Sequence, residues 1–381
     1  MPSAAFGAAP GNLRDTSERR TPSLSTSPSQ FGTVGKAPGF AWHRYYNSDW
    51  DHLETPPDPN RYYTLGKLEP RAEPGLDWCA EAAGACFQGS LARQREIYAR
   101  IFRYEKPRIA AILEHHRRGD SLPALRFVVG NEPNFWPYVD PGVFAEVYRG
   151  YRDYIRRPRP EGLGCAACRV NAGGILLLDP LASASLAGAL IEGSVGVWKG
   201  MRGLFGADHE TEFLPHRAWL HLFLDSLQAQ GGSLDALDGL DVHVYTINAQ
   251  ATLIPGLGPP LFGISSDTAA LDSIAAMLRV RGQAPIWIGE FGSVHPFAKA
   301  AEVAQSMEAM VARFRRLAGV ERWFWYTAAG SDPKFPGGRM RFGKRAWSFT
   351  SGPEVGLFND PADAGSGTGL GDTYLKLMRE E

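Results

Sequence analysis

Apolar and polar positions along the second half of the chain follow two alternating rhythms. Short apolar runs at 126–130, 168–175, 239–245, 285–289 and 321–326 have the length and composition of buried strands. Between them, apolar residues recur every three or four positions. Val143, Val147, Tyr151 and Ile155 stripe one helix, which Asp140-Pro141 opens with proline in its first turn. Trp219, Leu222, Phe223 and Leu227 mark the next, stopped by Gly231-Gly232. Ser266 or Asp267 caps a third that ends at Gly282. Residues 298–317 make a long fourth closed by Gly319, and 372–378 form the last. Strands separated by helices pair in parallel through right-handed crossovers. The pattern predicts an α/β fold, a (β/α)8 barrel of the TIM type.

The first half is less regular. Counting back makes the run at 126–130 the fourth strand of eight. Residues 39–46 read as the first strand and 61–68 as the second, while 92–116 reads as helix. No run is left for a third strand, so the first three βα units are expected to be irregular. Residues 1–36 are rich in Ser, Pro, Gly, Ala and Thr, which bury too little surface to offset the entropy of ordering. They are expected to be a disordered leader before one (β/α)8 domain over 37–381. The 176–218 stretch exceeds what a barrel connection needs. Its Trp198, Phe205 and Phe213 suggest an insertion near the functional face.

Composition narrows the function. The length of 381 residues suits one barrel of ~250 residues with insertions. A formal charge of −1 supplies no basic field, so neither nucleic acid nor anionic lipid is an expected partner. No run approaches the ~20 apolar residues of a membrane span. The amino terminus shows no apolar core of an export signal. Location and oligomeric state stay open. Cys79/Cys86 and Cys165/Cys168 form two local pairs, read as incidental thiols or as disulfides. The first has the wrong spacing for a four-cysteine zinc site.

Two of the apolar runs end in glutamate. The first leads through Asn131 to Glu132, followed by Pro133, Asn134, Phe135 and Trp136. The other ends in Gly289-Glu290-Phe291-Gly292. Barrel enzymes carry their chemistry at the carboxyl ends of strands. A carboxylate closing an apolar run is costly unless it is paired or belongs to a site. Two such groups are what glycosidic cleavage needs: one protonates the leaving oxygen, the other attacks or activates water. On the intervening strand His243 and Tyr245 are two apart and share a side, flanking the carboxylates if that side is inward. Trp325 on the last strand is expected to floor the sugar site, with Trp136 beside the first glutamate. Arg44, near the first strand, is a further candidate for substrate binding.

In this order and spacing, Asn131-Glu132-Pro133, His243-x-Tyr245, Gly289-Glu290-Phe291-Gly292 and Trp323-Phe324-Trp325 resemble glycoside hydrolase clan A. These are (β/α)8 retaining glycosidases with catalytic glutamates on strands four and seven. Gly356-Leu357-Phe358-Asn359 with Gly369 and Tyr374 is similar to their closing segment. The resemblance covers about residues 120–380. It implies that Glu132 is the acid/base and Glu290 the nucleophile of retaining β-glycoside hydrolysis. Asn131 would bind the hydroxyl at carbon two, and Tyr245 would steer Glu290. Neither cofactor nor metal is implied. The alternative is a weak or inactive carbohydrate-binding barrel. A metal-dependent hydrolase fits less well, because His43 stands alone and His209-Glu210 lacks the spacing of a zinc site.

Overall fold

A computed structural model of the chain describes residues 30–34, 42–45, 61–66, 90–117, 125–134, 139–177, 216–231, 237–246, 248–249, 262–263, 266–281, 284–293, 300–326, 339–342, 345–348 and 368–380. Eight parallel strands close into a barrel: β1 Phe31–Val34, β2 Trp42–Tyr45, β3 Arg61–Leu65, β4 Arg126–Val129, β5 Arg169–Leu176, β6 Leu240–Thr246, β7 Ile286–Ser293 and β8 Val320–Trp325. Each pairs with its neighbour in the chain, and β8 pairs back onto β1 through Phe31 with Trp323 and Thr33 with Trp325. Around it run α1 Leu91–His115, α2 Pro141–Arg156, α3 His216–Ala229, α4 Ser266–Arg281, α5 Ala300–Arg316 and α6 Gly369–Arg379. Two short antiparallel ladders join Asn248–Ala249 to Phe262–Gly263 and Arg339–Phe342 to Arg345–Ser348.

The expected barrel is therefore present, but its opening is placed differently. Residues 31–34, assigned to the leader, are the first strand. The runs expected to be strands one and two are β2 and β3, so no strand is missing before β4. A four-residue strand with glycine and threonine at its centre is too short to show a period of two. Its register comes instead from β8 and β2 on either side.

Strand alternation sorts the side chains into two cores. Outward residues pack under the helices: Ile288, Phe291, Trp323 and Trp325 meet Phe314 of α5 and Tyr374 of α6. Inward residues Trp42, Tyr62, Val128, Trp287 and Phe324 form a separate plug inside the barrel. At its base Arg322 lies over Trp42 at 4.0 Å and Trp287 at 5.2 Å. Burial lowers the pKa of Arg322 to about 10, and Glu321 opposes that fall.

The helices follow their sequence signals closely. Asp140 caps α2 by accepting from the Gly142 and Val143 N–H groups, and Ser90 caps α1 from Arg93. On α3 the buried stripe is Trp219, Leu220, Phe223, Leu224 and Leu227, whereas Leu222 is 45% exposed. Leu222 thus lies off the face expected of it. Between α2 and β5, Cys165 and Cys168 are buried and joined by a disulfide, which settles that pair. Cys79/Cys86 and the 178–215 part of the long connection lie outside the described residues. Among the described residues no helix is long and apolar enough to cross a membrane.

Candidate active site

Three local irregularities at the carboxyl ends of β4, β5 and β7 build the site. On β7, Trp287 faces the inner plug and Ile288 the outer core. Strict alternation would turn Glu290 outward with Ile288. Instead the pairing with β6 slips: Val242 aligns with Ile288, but His243 aligns with Glu290. Gly289 is the extra residue of this bulge, and Glu290 turns inward beside Arg44 and His243. A Cβ on Gly289 would collide with the Asp241 carboxylate and the Arg44 guanidinium, so the bulge requires glycine.

On β5 the irregularity is Gly173-Gly174, at φ +144° and +63°. The Gly174 carbonyl accepts the Glu132 N–H at 2.7 Å, and the Gly174 N–H donates to Asp241 Oδ1 at 3.1 Å. Beyond β4 the chain turns through Gly130 at φ +99° and Glu132 at φ +55°. A left-handed conformation in a non-glycine residue costs about 1–2 kcal/mol. Buried Asn134 helps to hold it, donating to the Leu176 carbonyl and accepting from the Leu176 N–H, both at 2.9 Å.

The side chains so placed converge. Arg44 Nη1 lies 2.8 Å from His243 Nε2, and His243 Nδ1 lies 3.0 Å from Glu132 Oε1. A guanidinium can only donate, so His243 Nε2 accepts. In a neutral ring that leaves the proton on Nδ1, which donates to Glu132. The same Arg44 nitrogen is 3.5 Å from both Glu290 Oε1 and Asp241 Oδ1, and its Nε donates to Thr64 at 3.2 Å. Tyr62 donates to Asp241 Oδ2 at 2.7 Å and accepts from Asn171 at 3.2 Å. Burial pushes the Asp241 carboxyl above the usual carboxylate range, with Arg44 pulling hardest the other way. Burial, then the Asp241 charge, holds the Tyr62 phenol well above its ordinary value, so it remains a donor.

Glu132, His243 and Glu290 each present one donor atom within 4.8 Å of the others. They could hold a metal ion by type and spacing. The Arg44 guanidinium, already on His243 and beside Glu290, would repel one.

The site candidates therefore divide. Glu132, Glu290, His243 and Arg44 come together, although Arg44 is fully buried behind the carboxylates and not on an open surface. Asn131 adjoins Glu132, and its carboxamide oxygen is buried with no hydrogen-bond partner among the described residues. Trp325 is not brought in. Its ring packs outward against Phe291 at 5.0 Å and Tyr374 at 6.2 Å, because its neighbour Phe324 takes the inward side. Tyr326, two residues beyond Phe324, is the one that packs against the inner plug. Trp136, the Tyr245 side chain and the closing segment 356–359 lie outside the described residues. Sequence reading passed over Asp241, Tyr62 and Asn134. Asp241 carried a signal, since it continues the polar alternation of His243 and Tyr245.

Residues 208–340 match the family described as Glycosyl hydrolase catalytic core. The matched span contains Asp241, His243 and Glu290 but stops short of Glu132 on its amino-terminal side. The chain is a glycoside hydrolase. Its fold is similar to that of a GH128 (subgroup II) endo-beta-1,3-glucanase from Sorangium cellulosum, at 14% identity and TM-score 0.45, over 91% of this chain and 98% of that one. A GH128 (subgroup I) endo-beta-1,3-glucanase from Amycolatopsis mediterranei, in complex with laminaritriose, gives 13% identity and TM-score 0.45, over 92% and 99%. A GH128 (subgroup III) exo-beta-1,3-glucanase from Blastomyces gilchristii, in complex with glucose, gives 14% and 0.41, over 79% and 91%. No curated protein matches the sequence.

Proposed function

We propose that the protein hydrolyses β-glycosidic bonds in an oligo- or polysaccharide with retention of configuration, using Glu132 as acid/base and Glu290 as nucleophile. The observation that carries this is the convergence of the two carboxylates on one histidine, with donor atoms of all three within 4.8 Å. Retaining enzymes hold their carboxyl groups ~5–5.5 Å apart, whereas inverting ones leave ~6.5–9.5 Å for a water. The close approach supports the first arrangement.

The roles follow from surroundings. Glu290 is 3% exposed and sits beside a fixed guanidinium, which favours a carboxylate ionised and held in one orientation. Glu132 is more open, with its side chain 21% exposed, and touches His243 rather than Arg44. It can reach a leaving oxygen and later an incoming water. In the first step Glu290 attacks the anomeric carbon while Glu132 gives its proton to the departing oxygen. In the second, Glu132 takes a proton from water, which displaces Glu290 from the sugar. The unpartnered Asn131 oxygen is suited to accept from a sugar hydroxyl next to the reacting carbon.

The test is a panel of aryl β-glycosides and β-linked polysaccharides, with glucans, mannans, galactans and xylans in it. Wild type should cleave at least one. Glu290→Gln should lose about three orders of magnitude or more in kcat. Glu132→Ala should recover part of its rate with azide or with an activated leaving group. Near-wild-type turnover by Glu290→Gln would refute the assignment. Oligosaccharide binding without cleavage by wild type would favour the non-catalytic barrel.

A further inference from the structure

The barrel holds a third carboxylate that neither step above uses. Asp241 lies on β6 two residues before His243 and is fully buried, so it cannot touch a bound sugar. Its Oδ1 and the Glu290 Oε1 stand at the same 3.5 Å from one Arg44 nitrogen. They stand 3.6 and 3.5 Å from His243 Nε2. Asp241 is itself anchored from two other strands, by the Tyr62 hydroxyl of β3 and the Gly174 N–H of β5. Two anions thus divide a single buried cation. An isolated charge at this depth is costly, and this one is kept with three separate partners.

We infer that Asp241 is a positioning residue for Glu290: by drawing on Arg44 it keeps the guanidinium registered between His243 and the nucleophile, and limits how tightly the guanidinium grips that nucleophile. The inference rests on reading Glu290 as the nucleophile. A carboxylate wholly engaged by a guanidinium is a poor attacking group; one that shares its cation is freer to leave it. Among the described residues, the charged and titratable groups facing Glu290 are Arg44 on β2, Glu132 after β4 and His243 and Asp241 on β6, with Tyr62 of β3 behind Asp241. Gly174 and Asn171 add only neutral contacts to Asp241 and Tyr62. Within this set Glu290 disfavours charge on Asp241, and the effect is mutual.

The experiment is kcat and KM against pH for wild type, Asp241→Asn, Tyr62→Phe and Glu290→Gln, on an aryl glycoside that wild type cleaves. Asp241→Asn removes a negative charge beside Glu290. The acid limb of kcat/KM should then move down by about one pH unit. In the same variant kcat should fall about tenfold as Arg44 closes on Glu290, with little change in KM. Tyr62→Phe weakens the Asp241 charge and should shift the limb the same way, by less. A purely structural Asp241 would lower kcat and leave the limb in place. An unmoved or raised limb in the folded variants overturns the inference, and if Asp241→Asn does not fold, the Tyr62→Phe limb decides. Turnover by Glu290→Gln would sink the nucleophile assignment itself, whereas an inactive Glu290→Gln with an unmoved limb sinks only the role of Asp241.

Discussion

At the scale of single residues, glycines decide where the carboxylates point. Gly289 is the clearest case. It supplies the bulge that turns Glu290 inward, and a side chain there meets Asp241 and Arg44 at once. Gly289→Ala is expected to remove most activity while the barrel still folds, because the clash falls on site side chains and not on the outer core. The measurement is kcat/KM alongside the thermal midpoint. Activity within a factor of about two of wild type would show that the bulge is dispensable. Much of this was legible beforehand: a glutamate between two glycines at the end of an apolar run is costly without a purpose. The tautomer of His243 was not legible. It depends on Arg44, which approaches from 199 positions away.

At the scale of elements, α1 carries a buried carboxyl of its own against the end of β3. Glu105 is fully buried and accepts from the Gly66 N–H through both oxygens, at 3.1 and 2.9 Å, and from the Tyr151 hydroxyl of α2. Burial raises its pKa from 4.5 to about 7, against the pull of those bonds. The folded state therefore holds this proton more tightly than the unfolded chain does. The stabilisation is complete below about pH 4.5 and is lost as pH rises through about 7. The span corresponds to a loss on the order of 3 kcal/mol. Glu105→Gln should flatten that decline in urea melts taken between pH 4.5 and 7. An unchanged slope would place the titrating group elsewhere. Helix periodicity could not mark Glu105 as special, since its partners come from β3 and α2. The same limit misplaced Trp325: alternation shows that Trp323 and Trp325 share a side, but only the inward ring of Phe324 shows which.

At the scale of the whole molecule, closure rests on the shortest strands. Phe31–Val34 joins β8 to β2, and Phe31 packs under α6 against Tyr374 at 5.2 Å and against Trp323 at 5.1 Å. Deleting residues 1–36 should open the barrel at both flanking edges and give an insoluble or unfolded product by circular dichroism. A soluble, native-like truncation would mean that the barrel tolerates the gap. The second half of the fold could be read because long helices separate runs of buried-strand composition. The first strand could not, since Phe31–Val34 carries glycine and threonine at its centre and follows directly on a Ser/Pro-rich stretch. The next two were legible as strands but were numbered one place too early. For the enzyme as a whole, the central claim is a double displacement through Glu132 and Glu290. Proton NMR of the anomeric signal, followed from the first turnover on a β-linked oligosaccharide that the enzyme cleaves, tests it most directly. The account predicts that the β-anomer appears first and mutarotates later; first appearance of the α-anomer would contradict it.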